Sequence, residues 1–376
     1  MIKRSEFKSC QRIVVKVGTS TLTHKNGQLN LHRIEHIVRE LSDLHNEGKE
    51  VILVTSGAIG VGANRMGFKK IPETMPQKQA LAAIGQGALL HMYEKFFAEY
   101  GKTVAQVLLT REDLDDRLRY LNATNALLAM FDMRVIPIIN ENDTVVVEEI
   151  KFGDNDTLSA LVSTIIEADL LIILSDVDGL YDSDPRTNEN AVLIEEVAEI
   201  TDEMEDNSKT RGSSFSSGGM YTKLNAARIS MTAGLPMLIV NSEIDDVIRR
   251  VINGENIGTL FVPLELKINA RKKWIAFGSM IHGHLTVDKG AEKALLNKGT
   301  SLLPSGVIGV DGDFERGTVV AVLNHQGSEI ARGIVNYTAE EIRQIAGRQT
   351  SEIESLLGEK DYDEIIHRNN LWVEVS

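Results

Sequence analysis

Two acids and an amide stand together at the start of an apolar helix pattern. In the stretch GDNDTLSA, Asp154, Asn155 and Asp156 follow a glycine and precede an apolar run of helix length. One acid at such a place is commonly a helix cap, because Asp near an N-terminus accepts hydrogen bonds from free backbone N–H groups. Capping accounts for one acid and leaves the other acid and the amide unexplained. The stretch therefore indicates a chemical role in addition to a structural one.

Lysine, glycine and hydroxyl side chains recur where other strand or helix patterns end or begin. They stand in the segments VVKVGTST, VTSGAIGVG, SDVDGLYDSDPR and SSGGMYTK. Glycine beside a helix N-terminus lets backbone N–H groups approach an anion, and lysine adds a mobile charge for phosphate oxygens. Each feature alone also fits a structural role, such as a cap, a tight turn or a surface lysine. Their combination favours phosphoryl transfer, which mainly requires alignment and charge compensation.

Three segments resemble familiar motifs but do not support the function that each motif would indicate. The segment GKT at 101–103 lacks the upstream glycine of a P-loop, because Phe96 stands there. The segment GAIGVG at 57–62 has the wrong glycine spacing for a dinucleotide fingerprint. HRIEH at 32–36 matches a short metal pattern, but two histidines on the solvent edge of an amphipathic helix are the simpler interpretation. We therefore expect no metal held by a dedicated set of protein ligands.

Composition and charge narrow the class of protein. With 376 residues, 43% hydrophobic and 25% charged, the chain has the balance of a soluble globular protein of two domains. Its apolar runs are strand-sized, no signal-peptide h-region is visible, and Cys10 is the single cysteine, so we expect a cytoplasmic protein. The net charge of −14 argues against nucleic acid and anionic membranes as partners. A few clustered lysines can still attract an anionic substrate.

The elements that would position these side chains alternate between strand and helix over roughly the first 260 residues. Continuous apolar strand patterns occur at 12–17, 50–55, 103–110, 134–140, 169–176 and 235–241. Helix patterns lie between them, including one unbroken pattern over 111–133. Such alternation predicts an α/β fold, a three-layer αβα sandwich with a mostly parallel central sheet. In these sheets ligands bind beyond the carboxyl ends of the strands, where the segments described above stand.

The pattern changes after Phe261. Short strand patterns and glycine turns recur roughly every ten residues from His282 onward, which predicts a small β-barrel-like domain. We therefore expect a first domain over 1–265, a linker over 266–281, a second domain over 282–360 and a C-terminal tail over 361–376. The polar, glycine-rich stretch 206–220 is expected to be a mobile loop.

Taken together, the segments resemble the amino-acid kinase family. The matching run covers about residues 12–260 and comprises VVKVGTS, VTSGAIGVG, NENDTV, GDNDTLSA, LSDVDGLYDSDPR and GGMYTK. The lysine-glycine opening and the DGLY…DPR segment are typical of the whole family, whereas NEND with GDND and the GGM-x-TK signature point to its glutamate-phosphorylating branch. One departure is Ser217, where that branch more often has threonine. The rest of the chain resembles a PUA domain.

The resemblance implies a set of site residues and their roles. Lys16 and Lys223 would be catalytic lysines, and Asp156 between them would fix their side chains. The amino-acid substrate would contact Ser56, Asp143 and Asn155. The residues implied to bind ATP are Lys16, Gly18, Ser175, Asp176, Ser217, Gly218, Gly219, Met220, Tyr221, Thr222 and Lys223. No general base is required, because the attacking carboxylate is already ionised near neutral pH.

The resemblance further implies ATP-dependent phosphorylation of the γ-carboxylate of L-glutamate, the first step of proline biosynthesis. ATP and Mg²⁺ would be the cofactors, with Mg²⁺ bridging phosphates and keeping several waters. The implied partners are L-proline as a feedback inhibitor, a glutamyl-phosphate reductase that receives the labile product, and further copies of the chain in a dimer or tetramer.

Two alternatives stay open at this point. A sibling kinase would act on acetylglutamate, aspartate or a nucleoside monophosphate, although Asp143 in NEND suits the ammonium group of an amino acid. A protein that acts by RNA binding through its C-terminal region is disfavoured, since residues 282–376 contain nine Lys and Arg against fifteen Asp and Glu, a net charge of −6. Neither RNA nor a membrane is expected as a partner.

Overall fold

The structure, a computed structural model, describes residues 3–24, 27–68, 70–145, 154–185, 187–209, 219–264, 272 and 274–373. The chain forms two compact units, Met1–Lys267 and Ile268–Ser376, and each unit has its own hydrophobic core. Across the described residues, no helix is both long and apolar enough to span a membrane.

Among the described residues, eight strands form one sheet at the centre of the first unit. They are β1 (Arg12–Val17), β2 (Glu50–Val54), β3 (Val104–Leu109), β4 (Ile136–Glu141), β5 (Leu170–Ser175), β6 (Glu196–Val197), β7 (Met237–Asn241) and β8 (Thr259–Phe261). Their spatial order is β3-β4-β2-β1-β5-β7-β8-β6, and neighbours pair in parallel except β7 with β8. Strands β1 and β5 are apolar on both faces because helices cover both sides of the sheet. The prediction of a mostly parallel αβα fold is confirmed.

Helices connect the strands of this unit. They are α1 (Thr19–Leu22), α2 (Leu31–Asn46), α3 (Ala58–Arg65), α4 (Met75–Glu99), α5 (Arg111–Asp115), α6 (Arg117–Asp132), α7 (Asn155–Ile165), α8 (Asp202–Lys209), α9 (Met220–Thr232) and α10 (Val247–Ile252), with a 3-10 helix at Arg4–Ser9 before β1. In α2, the side chain of Asn30 accepts a hydrogen bond from Arg33 N at 3.1 Å and so caps the helix. Ile34, Ile37 and Leu41 recur every three or four residues and are buried, which places one apolar stripe against the sheet.

The order in which strands join the sheet reverses at β1. The chain adds β2 on one side of β1 and later adds β5 on the other. Because these strands are parallel, their last residues, Val17, Val54 and Ser175, lie at the same edge of the sheet. A crevice at such a reversal is where α/β sheets bind ligands. The fold therefore brings the segments VVKVGTS, VTSGAIG and LSDVDG to one edge.

One helix of the sequence prediction is two helices in the structure. The pattern over 111–133 breaks at Asp116, whose backbone is extended (φ −70°, ψ 120°). Asp116 accepts a hydrogen bond from Arg119 N at 2.8 Å and so starts α6 as its N-cap. Thr110 and Asp113 form a capping box on α5. The prediction was wrong here because a side-chain cap can interrupt the backbone without changing the apolar spacing.

The stretch 206–220, predicted to be a mobile loop, is partly helical. Residues 206–209 belong to α8, and Met220 is the first residue of α9. Residues 210–218 lie outside the described part of the chain. Three acids in the first turn of α8 favour its start, because negative charge stabilises a helix N-terminus.

The second unit contains a five-stranded sheet within the residues described. Its strands are β9 (His284–Val287), β10 (Val307–Asp311), β11 (Val319–Leu323), β12 (Glu329–Ile334) and β13 (Leu371–Val373), in the spatial order β10-β9-β11-β12-β13. Its helices are Lys289–Lys298, Ala339–Ile345 and Ile353–Leu357, with short 3-10 or π-helical turns at Trp274–Gly278, Pro304–Gly306, Thr350–Glu352 and Arg368–Asn370.

Two segments at the borders of this unit differ from their predicted form. The segment 361–376, expected to be a tail, contributes β13, in which Leu371 pairs with Gly333 of β12. Leu371 and Trp372 are buried, and the apolar area they remove from water holds this strand in the sheet. In the expected linker, Trp274–Gly278 is helical, and Trp274 is buried as well.

Candidate active site

A buried carboxylate between two lysines lies at the sheet edge. Asp156 is in the first turn of α7 and is fully buried. Its Oδ1 is 2.5 Å from Nζ of Lys16 on β1, an ion pair without the alignment of a hydrogen bond. Its Oδ2 accepts a hydrogen bond of 3.2 Å from Nζ of Lys223 on α9, and Thr222 Oγ1 donates to the same oxygen at 2.9 Å. Three distant segments of the chain thus converge on one carboxylate.

This arrangement keeps Asp156 charged. Burial by itself would raise the pKa of Asp156, but the ammonium groups of Lys16 and Lys223 outweigh burial and hold that pKa well below its usual range. The two ammonium groups share this one carboxylate, and Asp154, which interacts electrostatically with Lys16, adds further negative charge above about pH 6. Each ammonium group has three N–H donors, so it can bind another acceptor besides Asp156. The two lysines are therefore suited to bind an anionic group in the cavity.

Asp154 has the capping role that the sequence suggested for one of the two acids. It precedes α7 with an extended backbone (φ −167°, ψ 158°), and its Oδ1 accepts a hydrogen bond of 2.8 Å from Thr157 N. Burial and the neighbouring charge of Asp156 raise the pKa of Asp154 to about 6. Two acids that are two positions apart therefore have pKa values shifted in opposite directions.

Asn155 connects α7 to the turn that follows β2. Its Nδ2 donates a hydrogen bond of 3.1 Å to Ser56 Oγ, whereas its Oδ1 is buried and has no hydrogen-bond partner among the described residues. Gly57 has a φ of 92°, the left-handed region that favours glycine, so the chain turns sharply from Ser56 into α3. A buried amide oxygen without a partner is costly. The position of Asn155 therefore indicates a hydrogen-bond donor supplied by a ligand.

Helices α3 and α4 pack against each other at two glycines. A Cβ atom on Gly62 would lie 1.9 Å from the carbonyl oxygen of Leu81, and one on Gly85 would lie 1.8 Å from that of Ala58. Because no carbon atom can come so close to an oxygen without bonding to it, both positions require glycine. The contact fixes the N-terminus of α3, and with it the turn at Ser56, against α4.

A cavity of about 290 Å³ brings together most of the residues predicted for the site. Those in its lining are Lys16, Gly18, Ser56, Asp143, Asn155, Ser175, Asp176 and Lys223. Asp156 lies behind this surface in contact with both lysines. The predicted residues Gly219, Met220, Tyr221 and Thr222 cap or form the first turn of α9 and are not part of the lining. Ser217 and Gly218 fall outside the described residues. The roles assigned to all of these residues stay predictions.

Sequence reasoning gave no site role to three charged residues of the lining, Lys78, Glu141 and the helix cap Asp154. Glu141 ends β4 and lines the cavity together with Asp143. It stands in the segment NENDTV, so that segment offered a signal for it. Lys78, near the start of α4, also lines the cavity, but no motif surrounds it. Its position depends on the packing of α4 against α3, which the sequence does not reveal.

The lining is suited to hold an anionic substrate close to lysine. Lys16 and Lys223 present their ammonium groups to the cavity, and Asp156 holds them in place. Within the described ranges, no group of three or more His, Cys, Asp or Glu side chains is arranged to bind a metal ion. An anionic group in the cavity would meet lysine side chains that Asp156 already fixes, so they need little rearrangement to stabilise its charge.

Known proteins share this organisation. A sequence model of the amino acid kinase family matches residues 11–241, and one of the PUA domain matches residues 283–357. A glutamate 5-kinase of Caldanaerobacter subterraneus subsp. tengcongensis is 56% identical over 362 residues, which cover 96% of this chain and 97% of that protein. A glutamate 5-kinase of Moorella thermoacetica is 53% identical over 370 residues, or 98% of each chain.

Among solved structures, a UMP kinase of Bacillus anthracis aligns with 67% of this chain and 96% of its own, at 19% identity and a TM-score of 0.46. The family match rests instead on sequence. The model of the family spans more than half of the chain, and relatives with over half of their residues identical extend across nearly all of it. The chain therefore belongs to the amino acid kinase family.

Proposed function

We propose that the protein transfers the γ-phosphoryl group of ATP to the γ-carboxylate of L-glutamate, the first step of proline biosynthesis. The observation that carries the proposal is the cluster of Lys16, Asp156 and Lys223 at the cavity. Family membership implies ATP as the donor. The relatives that match almost the whole chain are glutamate 5-kinases, which supports glutamate as the acceptor.

The transfer needs charge compensation rather than a base. An oxygen of the γ-carboxylate attacks the γ-phosphorus, the new P–O bond forms, and the P–O bond to ADP breaks with its electron pair leaving on ADP. No proton has to move, because the carboxylate is ionised at neutral pH. Lys16 and Lys223 would place positive charge beside the phosphoryl oxygens. Asp156 would act as a positioning residue, because a carboxylate between two ammonium groups lessens their repulsion and fixes their direction.

Ser56, Asp143 and Asn155 would form the end of the cavity that receives the amino acid. The unpartnered Oδ1 of Asn155 can accept a hydrogen bond from the substrate ammonium group, and the carboxylate of Asp143 adds negative charge nearby. An N-acetylated substrate has no such positive charge. A polar site discriminates strongly against an analogue that leaves its groups unpaired, so glutamate is favoured over acetylglutamate.

ATP would lie toward the carboxyl end of β5 and the start of α9. Ser175 and Asp176 line that part of the cavity, and the residues before Lys223 would contribute backbone contacts to phosphate. Mg²⁺ bound together with ATP would supply positive charge that neutralises the phosphates. Such a metal requires few direct protein ligands.

Release of ADP with a panel of acceptors tests the proposal. We expect release only when ATP, Mg²⁺ and L-glutamate are present together, with L-aspartate and N-acetylglutamate as poor acceptors. Hydroxylamine added to the reaction should trap the acyl phosphate as a hydroxamate, which identifies a carboxylate acceptor. Equal turnover with N-acetylglutamate would contradict the assignment.

Regulation and partners extend the same proposal. L-proline shares the α-amino-acid head of glutamate and could occupy the part of the cavity near Ser56 and Asp143. At fixed ATP, proline should then raise the apparent KM for glutamate, and no effect at millimolar proline would reject this inhibition.

The product is labile, which favours direct transfer to a glutamyl-phosphate reductase. We also expect a homo-oligomer, which sedimentation of the purified protein would detect.

A further inference from the structure

Lys78 is the one lysine of the cavity lining without a carboxylate partner among the described residues. The described lining contains three lysines and no arginine or histidine. Lys16 and Lys223 both pair with Asp156. The side chain of Lys78 forms no ion pair or hydrogen bond with any described residue, whereas its backbone N–H bonds to Thr74 O at 3.1 Å. Lys78 is half-buried and lines the cavity, and no acid of the described lining lies close enough to form an ion pair with it.

The packing of α3 against α4 sets the position of Lys78. Leu81, one helical turn after Lys78, has its carbonyl oxygen against Gly62 of α3. Lys78 therefore belongs to the wall of the cavity that α3 and α4 form. The other two lysines of the lining, Lys16 and Lys223, come from β1 and α9 instead. The cavity thus has positive charge from two separate sources.

The charges of the proposed acceptor can be matched to these groups. Glutamate has one ammonium group and two carboxylates. Its γ-carboxylate must approach Lys16 and Lys223 to react. Its ammonium group can pair with the carboxylate of Asp143 and donate a hydrogen bond to the unpartnered Oδ1 of Asn155. The α-carboxylate then remains without a cation, and Lys78 is the cation that remains in the described lining.

We propose that Lys78 binds the α-carboxylate of the acceptor and thereby selects α-amino dicarboxylic acids over analogues in which that group is neutral. This inference rests on the proposed phosphorylation of glutamate. It makes Lys78 a specificity-determining residue, because the contact forms at the end of the substrate away from the reacting carboxylate. Such a contact strengthens binding in the ground state and transition state alike, so its loss raises KM more than it lowers kcat.

The test compares L-glutamate with its α-amide, in which the α-carboxylate is a neutral carboxamide and the γ-carboxylate is unchanged. Release of ADP by the full-length protein gives kcat and KM for each. Lys78→Met should raise the KM for glutamate roughly 10- to 100-fold, the effect of losing one charged hydrogen bond, with little change in kcat or in the KM for ATP. Its KM for the α-amide should stay the same. Lys78→Arg keeps the charge and should retain most of the preference for glutamate.

Two control variants separate this effect from a general loss of activity. Lys95→Met changes an exposed lysine of α4 outside the cavity lining and should behave as the wild type. Asp143→Asn should reduce the preference for glutamate over N-acetylglutamate, yet leave the preference over the α-amide. Lys78→Met and Asp143→Asn therefore affect recognition of two different groups of the substrate, the α-carboxylate and the ammonium group.

Chemical protection supplies a measurement that needs no variant. Acetic anhydride labels accessible lysine amines, and mass spectrometry locates the label. Glutamate should protect Lys78 from labelling, and the α-amide should not. Equal protection by both compounds, or an unchanged preference in Lys78→Met, would overturn the proposal and leave the α-carboxylate to backbone groups. If the rate of ADP release by the wild-type protein is the same with and without glutamate, the proposed function itself is refuted. This result is obtained before any variant is compared.

Discussion

Replacing Asp154 by asparagine is expected to stabilise the protein above about pH 6 and to change its stability little near pH 4. The folded pKa of Asp154 is raised to about 6 from an ordinary value of 3.8, first by burial and then by the charge of Asp156. Below pH 3.8 the carboxyl is protonated in both the folded and the unfolded chain. As the pH rises, the unfolded chain loses this proton first, so the folded state becomes relatively less stable until the pH passes about 6.

The size of the effect follows from the difference between the two pKa values. A difference of about two in pKa corresponds to roughly 3 kcal/mol of unfolding free energy. Asparagine cannot ionise, and its Oδ1 can still accept the 2.8 Å hydrogen bond from Thr157 N, so the cap is kept. The second oxygen of Asp154 accepts a weaker hydrogen bond of 3.2 Å from Thr157 Oγ1. In asparagine an amide NH₂ group replaces this oxygen, so this hydrogen bond cannot form in the same direction. We therefore expect Asp154→Asn to gain roughly 2–3 kcal/mol at pH 8 and almost nothing at pH 4.

Cys10 provides an assay that reports on the first unit alone. It is the single cysteine of the chain and is buried, so a thiol reagent reaches it only when this unit opens. Samples equilibrated in urea at each pH receive a brief maleimide pulse at one fixed pH, and mass spectrometry gives the unfolded fraction. Asp132→Asn makes the same chemical change at an exposed position, the last residue of α6, and should gain at most about 0.5 kcal/mol at pH 8, because it removes a negative charge from a helix C-terminus. An Asp154→Asn variant with an equal gain at both pH values, or none at pH 8, would refute the reasoning.

Four other perturbations address the site and its support. Lys223→Met should lower kcat roughly 10²- to 10³-fold and affect KM less, as steady-state ADP release would measure, because the lysine acts on charge in the transition state. Asp156→Asn should lower the unfolding free energy by roughly 3–5 kcal/mol in the maleimide assay, since two ammonium groups lose their counter-ion, and unchanged stability would contradict the pairing. Gly85→Ala should destabilise the protein and raise the KM for glutamate, because its Cβ would meet a backbone carbonyl at 1.8 Å, whereas Gly87→Ala has open space and serves as its control. A chain ending after Leu266 should fold and phosphorylate glutamate, and a folded but inactive product would show that the C-terminal region contributes to the site.

The central strands could be predicted from the sequence because burial on both faces leaves an unmistakable apolar run. The pattern at 12–17 coincides with β1, and that at 169–176 contains β5. Strands β6 and β8 have two and three residues, which are too few to show the alternation or run of apolar residues that indicates a strand. The antiparallel pairing of β7 with β8 depends on contacts between distant segments, and no local pattern encodes it.

The candidate site was predictable where chemistry and local structure coincide. Lys16 stands near the end of an apolar strand, and Asp156 is a second acid two residues after the helix cap Asp154, so each is unusual for its place in the sequence. Lys78 shows the limit of this reasoning, since a lysine on a long helix is ordinary in sequence. Only the close approach of α3 and α4 at Gly62 and Gly85 gives it a place in the cavity.

The separation of the three cluster residues along the chain has a consequence for synthesis of the protein on the ribosome. Asp156 and Lys16 are both translated when β5 has emerged, whereas Lys223 follows Asp156 by 67 residues. Domains generally fold as units, and the first unit extends to Lys267. Asp156 therefore has both of its ammonium partners only after α9 has left the ribosome. A nascent chain that ends before Lys223 lacks one of the two charges that hold the pKa of this buried carboxylate low, so burial of Asp156 becomes favourable only when the unit is nearly complete.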